Sequence, residues 1–168
     1  MKFLSTALLL TAALTTAAPV EKLFTLVTSG SSTPAHNGLS LSTQSTGPLI
    51  SNAVFRDTAN AATFYLSNST VHYEAPNGAP YVLALVGGSS VQGGVEVSVS
   101  PSGAVRTGFR IAGDGGLRAS SATWGGWLVC PGDKDSGLLG LFYQDTSVGS
   151  GVPAGCDRVQ LRVVYTSS

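Results

Sequence analysis

The sequence predicts an all-β fold, and three observations predict it. Apolar residues recur at every second position in run after run, turn-forming clusters separate the runs, and helical periodicity is almost absent. The alternating pairs are Phe24/Leu26, Leu39/Leu41, Phe64/Leu66, Val95/Val97/Val99, Phe109/Ile111 and Val159/Leu161/Val163. Period two puts every second side chain on one face, the mark of a half-buried strand. "SGSS", "APNGAP", "GGSS", "SPSG", "GDGG" and "PGDKDSG" stand between the runs. In "GDGG", residues 113–116, the glycines accept the positive φ of a tight hairpin. Only "DTANAATF", from Asp57, tolerates a helix, and it is too short to stand alone.

The runs fall into three cycles of four. "FTLV", "TVHY" and "GLRA" open the cycles at 24, 70 and 116. "GLSLS", "YVLAL" and "GWLVC" come second; "PLISNAVF", "VEVSV" and "LLGLFY" third; "TFYL", "FRIA" and "VQLRVV" last. A cycle cannot bury its apolar face alone, whereas three can close a barrel without open edges. The expected architecture is β-trefoil-like. A two-sheet β-sandwich is the alternative, since it uses the same short strands and turns.

Ahead of the strands stands "MKFLSTALLLTAALTTAAPV". One Lys, an apolar stretch and small residues ending at Ala17 and Ala18 form a secretory signal peptide, expected over residues 1–18. The apolar stretch is too short to span a bilayer, which takes about 20 residues. Residues 19–168 are then expected to form a single all-β domain, secreted and without a membrane span. Without Lys2 the chain carries eight basic and nine acidic residues, a net charge near −1. No basic stripe offers itself to nucleic acid. Charged residues make up only 11% and hydrophobic ones 43%, which belongs to an ordered chain.

Two cysteines in an exported chain read as one disulfide, Cys130–Cys156. It would close a loop of about 26 residues, worth about 3 kcal/mol in the chain-entropy picture. The loop holds Gly132, Gly137, Gly140, Gly149, Gly151 and Gly155, so a covalent tie offsets much ordering entropy. "NST" makes Asn68 a glycosylation acceptor, expected at an exposed turn between two strands.

Chemistry is harder to find. No nucleophile elbow, zinc-binding His-Glu pair or phosphate-cradling loop is present, so no catalytic residue, metal or cofactor is assigned. His36 in "PAHNG" reads as a polar turn residue and His72 in "VHYE" as an exposed or partly packed strand residue. Asp133 and Asp135 in "DKDSG" miss the calcium-loop pattern, because Gly137 falls at position five and Gln144 at twelve. Nothing in the spacing joins Glu74, Glu96 or Asp114 into an acid pair. The aromatics Tyr73, Tyr81, Trp124, Trp127 and Tyr143 lie in or beside turns and strand ends, where rings can stack on sugars. Trp127 is expected in the core near the disulfide. Trp124, flanked by Thr123 and Gly125, is expected to be exposed and is the candidate carbohydrate contact.

"ATFYL", "GGWLVCP" and "VPAGC" followed by "VQLRV" resemble the small secreted proteins of filamentous ascomycete fungi that include the phialide-type cell wall protein and the so-called IgE-binding proteins. The resemblance spans roughly residues 61–165 and is strongest in the C-terminal third. It carries over Cys130 and Cys156 as a pair and no catalytic residue. Relatives often hold further cysteines in the N-terminal half, and this chain has none there. The resemblance implies a non-enzymatic extracellular or cell-wall protein. Its expected partner is wall polysaccharide, the alternative being an extracellular protein of a host or competitor, met by an effector or protease-inhibitor-like surface.

Overall fold

A computed structural model describes residues 21–101, 103–104, 108–132 and 136–166. The expected leader, Asp133 and Asp135 lie outside the described residues. Twelve strands form among those described: β1 (Phe24–Ser29), β2 (Ser40–Gly47), β3 (Ile50–Arg56), β4 (Phe64–Ser67), β5 (Thr70–Glu74), β6 (Pro80–Val86), β7 (Gln92–Ser98), β8 (Phe109–Ile111), β9 (Leu117–Ala119), β10 (Trp124–Pro131), β11 (Leu139–Asp145) and β12 (Asp157–Tyr165). Each coincides with one of the twelve runs of the three cycles. The only helical pieces among the described residues are two 3-10 turns, Pro34–His36 and Thr58–Asn60. No described helix is long and apolar enough to cross a membrane.

In β1 and along the first half of β12 the alternation decides which face is buried. Phe24, Leu26 and Thr28 of β1 point inward, as do Val159 and Leu161 of β12, while Arg158, Gln160 and Arg162 stay in solvent. Two-residue turns set the registers. Asn68 and Ser69, with φ of 48° and 61°, join β4 to β5 in the left-handed conformation that such hairpins require. Asn is among the few side chains that enter that region readily.

The antiparallel pairs link into a circuit. β1 meets β4 at Phe24↔Phe64, and β4 pairs β5, β5 pairs β6 and β6 pairs β7. From β7 the ladder passes to β3, β11, β10 and β12, and β12 returns to β1. Nine strands therefore close a barrel. Hydrogen bonding runs continuously around the core through these nine strands, with β2 paired alongside and β8–β9 forming a separate two-stranded sheet. The hairpins β2–β3, β6–β7 and β10–β11 also touch one another pairwise, through Asn52↔Glu96, Phe142↔Gly94 and Gly140↔Val54. The β8–β9 hairpin turns through Ala112–Gly116, as "GDGG" predicts. It is stitched to the rest by Phe109 N donating to Ser69 O (2.7 Å) and Val163 N donating to Gly115 O (2.9 Å).

Inside the barrel sit Trp127, Tyr143, Phe24 and Phe64, all fully buried, with Leu26, Leu41, Leu85, Leu117 and Leu161. Each such side chain contributes about 1.5–3 kcal/mol by leaving water. Trp127 stacks on Phe109 with centroids 6.3 Å apart and donates its Nε1 hydrogen to Leu117 O at 2.6 Å. The Cys130–Cys156 disulfide forms, tying the end of β10 to the residue before β12. It braces the connection between β11 and β12.

Tyr143 lies flat over the backbone of Gly93, where a Cβ would meet its Cε1 at 2.2 Å. Gly93→Ala is therefore expected to lower unfolding free energy by about 1–3 kcal/mol, the cost of overpacking, measured by denaturant titration. The Cys130→Ser/Cys156→Ser double variant should lose about 3 kcal/mol in the same assay.

Candidate functional site

A cavity of about 370 Å³ opens where β9, β10 and β12 meet the β8–β9 turn. Trp124 forms one wall. In a regular strand, residues 124 and 127 would face opposite sides, but the register slips between them. The bulge falls on Gly125 and Gly126, the latter with φ of 122°. A Cβ at Gly125 would come within 2.6 Å of Thr146 Cγ2 and 2.9 Å of Gln144 Oε1, so any larger residue would make these side chains shift. The bulge brings Trp124 onto the same side as Trp127, edge to face with centroids 5.6 Å apart. Trp124 is thus half-buried on the pocket wall, a correction to the exposed position expected for it. Its Nε1 is shielded from solvent and has no hydrogen-bond partner among the described residues.

Polar groups complete the lining. Asp114 accepts from Gly116 N at 3.0 Å and from Arg118 Nη2 at 2.7 Å. The Gly116 amide, then Arg118, hold the Asp114 carboxyl below its ordinary range, so it remains an acceptor. Arg158 of β12 also lines the cavity; its Nη1 donates to Gly125 O at 3.2 Å and its Nη2 donates to Gln144 Oε1. The Gln144 amide is oriented by donating from Nε2 to Ser150 O (2.7 Å) and Gly151 O (3.2 Å). Gln160 extends the polar rim. One aromatic wall with converging donors and one carboxylate is the usual make-up of a small-molecule site, whose volumes run about 300–1,000 Å³.

The other singled-out residues fall elsewhere. Trp127 is in the core, as expected. Tyr143 is fully buried and Tyr81 nearly so, so neither presents a ring to solvent, contrary to the expectation of strand-end aromatics. Tyr73 is half-buried against Phe64 and Tyr81. His72 stacks on Tyr65 across β4–β5, centroids 4.8 Å apart. Asn68 is exposed at its turn. His36 departs from the simple turn residue expected of it. Its Nδ1 lies 2.7 Å from Asp157 Oδ2, and both side chains are half-buried. Ser31 Oγ also donates to that oxygen, at 3.3 Å. The sequence separates His36 and Asp157 by 121 residues, so only the closure of β1 on β12 could reveal the pair.

The fold and pocket define a closed all-β protein with one aromatic-walled polar cavity beside its last strand. The chain belongs to the family described as a domain of unknown function (DUF7907), which matches residues 21–165. No curated protein and no solved structure matches it.

Three hydrogen-bonded carboxylates, the exposed Asp114 and the more shielded Asp145 and Asp157, and one buried phenol set the pH response. Asp145 is held down first by the Ser147 hydroxyl, then by the Ser147 amide and Tyr143; Asp157 first by the Thr33 side chain, then by His36 and Ser31. With Asp114, their pKa values lie below the ordinary 3.8, so the folded chain binds fewer protons than the unfolded one. Their contribution is complete above 3.8 and is lost as pH falls through the lowered values. Burial, followed by the Asp145 charge, pushes Tyr143 up to about 12, so its contribution is complete below 10.0 and lost as pH rises toward 12. Thermal melts should show a midpoint that falls on both limbs, with Asp145→Asn flattening the acid one.

Proposed function

We propose that this is a secreted, non-enzymatic protein of the fungal surface, retained at the cell wall by binding carbohydrate in the Trp124 pocket. The observation that carries the reading is the half-buried indole facing Asp114, Arg118, Arg158 and Gln160 across one cavity. A pyranose presents an apolar face to a ring and hydroxyls to such donors and acceptors. The likeness to the phialide-type and IgE-binding proteins supports the extracellular setting. Exposed Asn68 in "NST" fits a glycosylated surface, and residues 1–18 supply the export signal.

The finer architecture belongs to the same reading: a β-trefoil of three four-strand cycles. Three pairing features support it. The β2–β3, β6–β7 and β10–β11 hairpins contact one another in a triangle. β1 neighbours both β4 and β12. β9 reaches β12 through Gly116↔Arg162. Most of the pocket lining then comes from the third cycle, joined by Gly30 and Asp114, and the Gly125–Gly126 bulge has no counterpart at the start of β2 or β6.

A second reading, docking on a foreign protein, is favoured by Val148 and Val152, which stand exposed on the disulfide-braced loop. Inhibition of a protease panel would support it. For the carbohydrate reading, protein recovered from culture should distribute to the salt-extractable wall. It should sediment with isolated wall glucan or chitin, and Trp124→Ala should weaken that retention about tenfold. Equal sedimentation of the variant, or recovery from the medium alone, would overturn it.

A further inference from the structure

We propose that the Trp124 pocket takes an acidic saccharide: a pyranose bearing a carboxylate or sulfate, its ring against Trp124 and its acid on Arg158. The proposal rests on the carbohydrate reading above and specifies its ligand class.

The charge around the pocket is lopsided. The chain as a whole is neutral, yet Arg110, Arg118, Arg158 and Arg162 all project outward from β8, β9 and β12. Arg110 and Arg118 sit directly opposite each other in the β8–β9 ladder. Like charges at facing positions repel, so an isolated hairpin gains nothing from this pair. Arg162 faces Gly116, itself part of the pocket lining. Asp114 is the one carboxylate lining the cavity, and it is engaged by Arg118. Asp157, next in sequence to Arg158, is engaged by His36 and Ser31. Of the four, Arg118 and Arg158 line the cavity, and only Arg118 is matched there by a carboxylate.

Arg158 is the telling member. Both of its terminal nitrogens are anchored, but on neutral oxygens: the Gly125 carbonyl and the Gln144 amide. No carboxylate pairs with it among the described residues. Its orientation is therefore fixed while its charge is left uncompensated at the pocket. A guanidinium has five N–H donors in a rigid fork, so hydrogens remain for a bound carboxylate or sulfate. The aromatic wall and the cavity volume exceed what a small inorganic anion fills. Asp114 serves as acceptor for a sugar hydroxyl, a role no bare anion needs.

Calorimetric titration of the full secreted chain tests this. The probes are oligogalacturonate, a heparin hexasaccharide, chitohexaose, laminarihexaose and inorganic sulfate. At least one acidic oligosaccharide should bind about tenfold or more tightly than the neutral ones at low salt, with affinity falling as NaCl is raised. Which acidic probe binds separates a carboxylate ligand from a sulfate one. Arg158→Gln should remove most of that preference, and Arg158→Lys should keep the salt dependence while losing affinity. Because Arg158 also braces β10, Arg162→Gln provides a surface variant that should reduce affinity without moving the thermal midpoint. Neutral oligosaccharides binding as tightly as acidic ones, with Trp124→Ala abolishing both, would overturn this proposal and leave the carbohydrate reading standing. Binding of acidic probes that Trp124→Ala leaves unchanged, or full competition by inorganic sulfate, would show an anion site only and overturn it as well. No binding of any saccharide would remove both readings.

Discussion

Strand β1 runs antiparallel to β12 over six facing pairs, from Phe24↔Tyr165 to Ser29↔Gln160, and this seam closes the barrel. Without it, β12 would lose one of its two flanks and the core face of Val159 and Leu161 would lie open. Such a seam joins residues more than 130 positions apart in sequence, so its loop-closure entropy must be met by burial elsewhere. Phe24, Phe64 and Leu161, all fully buried beside it, supply that burial. Everything functional described above is downstream of this closure. The pocket uses Gly30 from just beyond β1 and Arg158 to Leu161 from β12, and the His36–Asp157 pair spans the same seam.

Around the pocket, rigidity comes from three kinds of bond acting on one short stretch. The disulfide fixes Cys156, Asp157 is held by His36 and Ser31, and Arg158 is held by Gly125 and Gln144. Three consecutive side chains are therefore anchored to three different parts of the fold. The start of β12 has little freedom to drift. A binding group mounted there is preorganised, which reduces the ordering entropy a ligand must overcome.

Local physics made the strands legible in the sequence. Alternation at Val95/Val97 or Val159/Leu161 reports which face is buried, and that depends only on residues two apart. Turn chemistry behaved likewise at "GDGG" and at Asn68–Ser69. The cysteine pair is readable because two cysteines in one chain leave a single intramolecular pairing. The pocket was only half legible. Trp124 stood out, but its half-buried orientation depends on a bulge that "GG" permits without announcing. The role of Arg158 depends on Gln144, fourteen positions earlier, and on Gly125, across a strand pair no local pattern specifies. Tyr143 was misplaced for a related reason. A tyrosine near a strand end looks amphipathic in sequence, yet Gly93 makes room for its ring and Asp145 gives its hydroxyl a partner, at 3.3 Å.

The β1–β12 seam also bears on how this shape could have been reached. With the first and last strands side by side, the chain is in effect a loop with a nick between Tyr165 and Phe24. The neighbours of each strand would be unchanged if that nick lay in another solvent-facing turn, such as Asn77–Gly78. The order in which segments are threaded is therefore a separate matter from the arrangement they adopt.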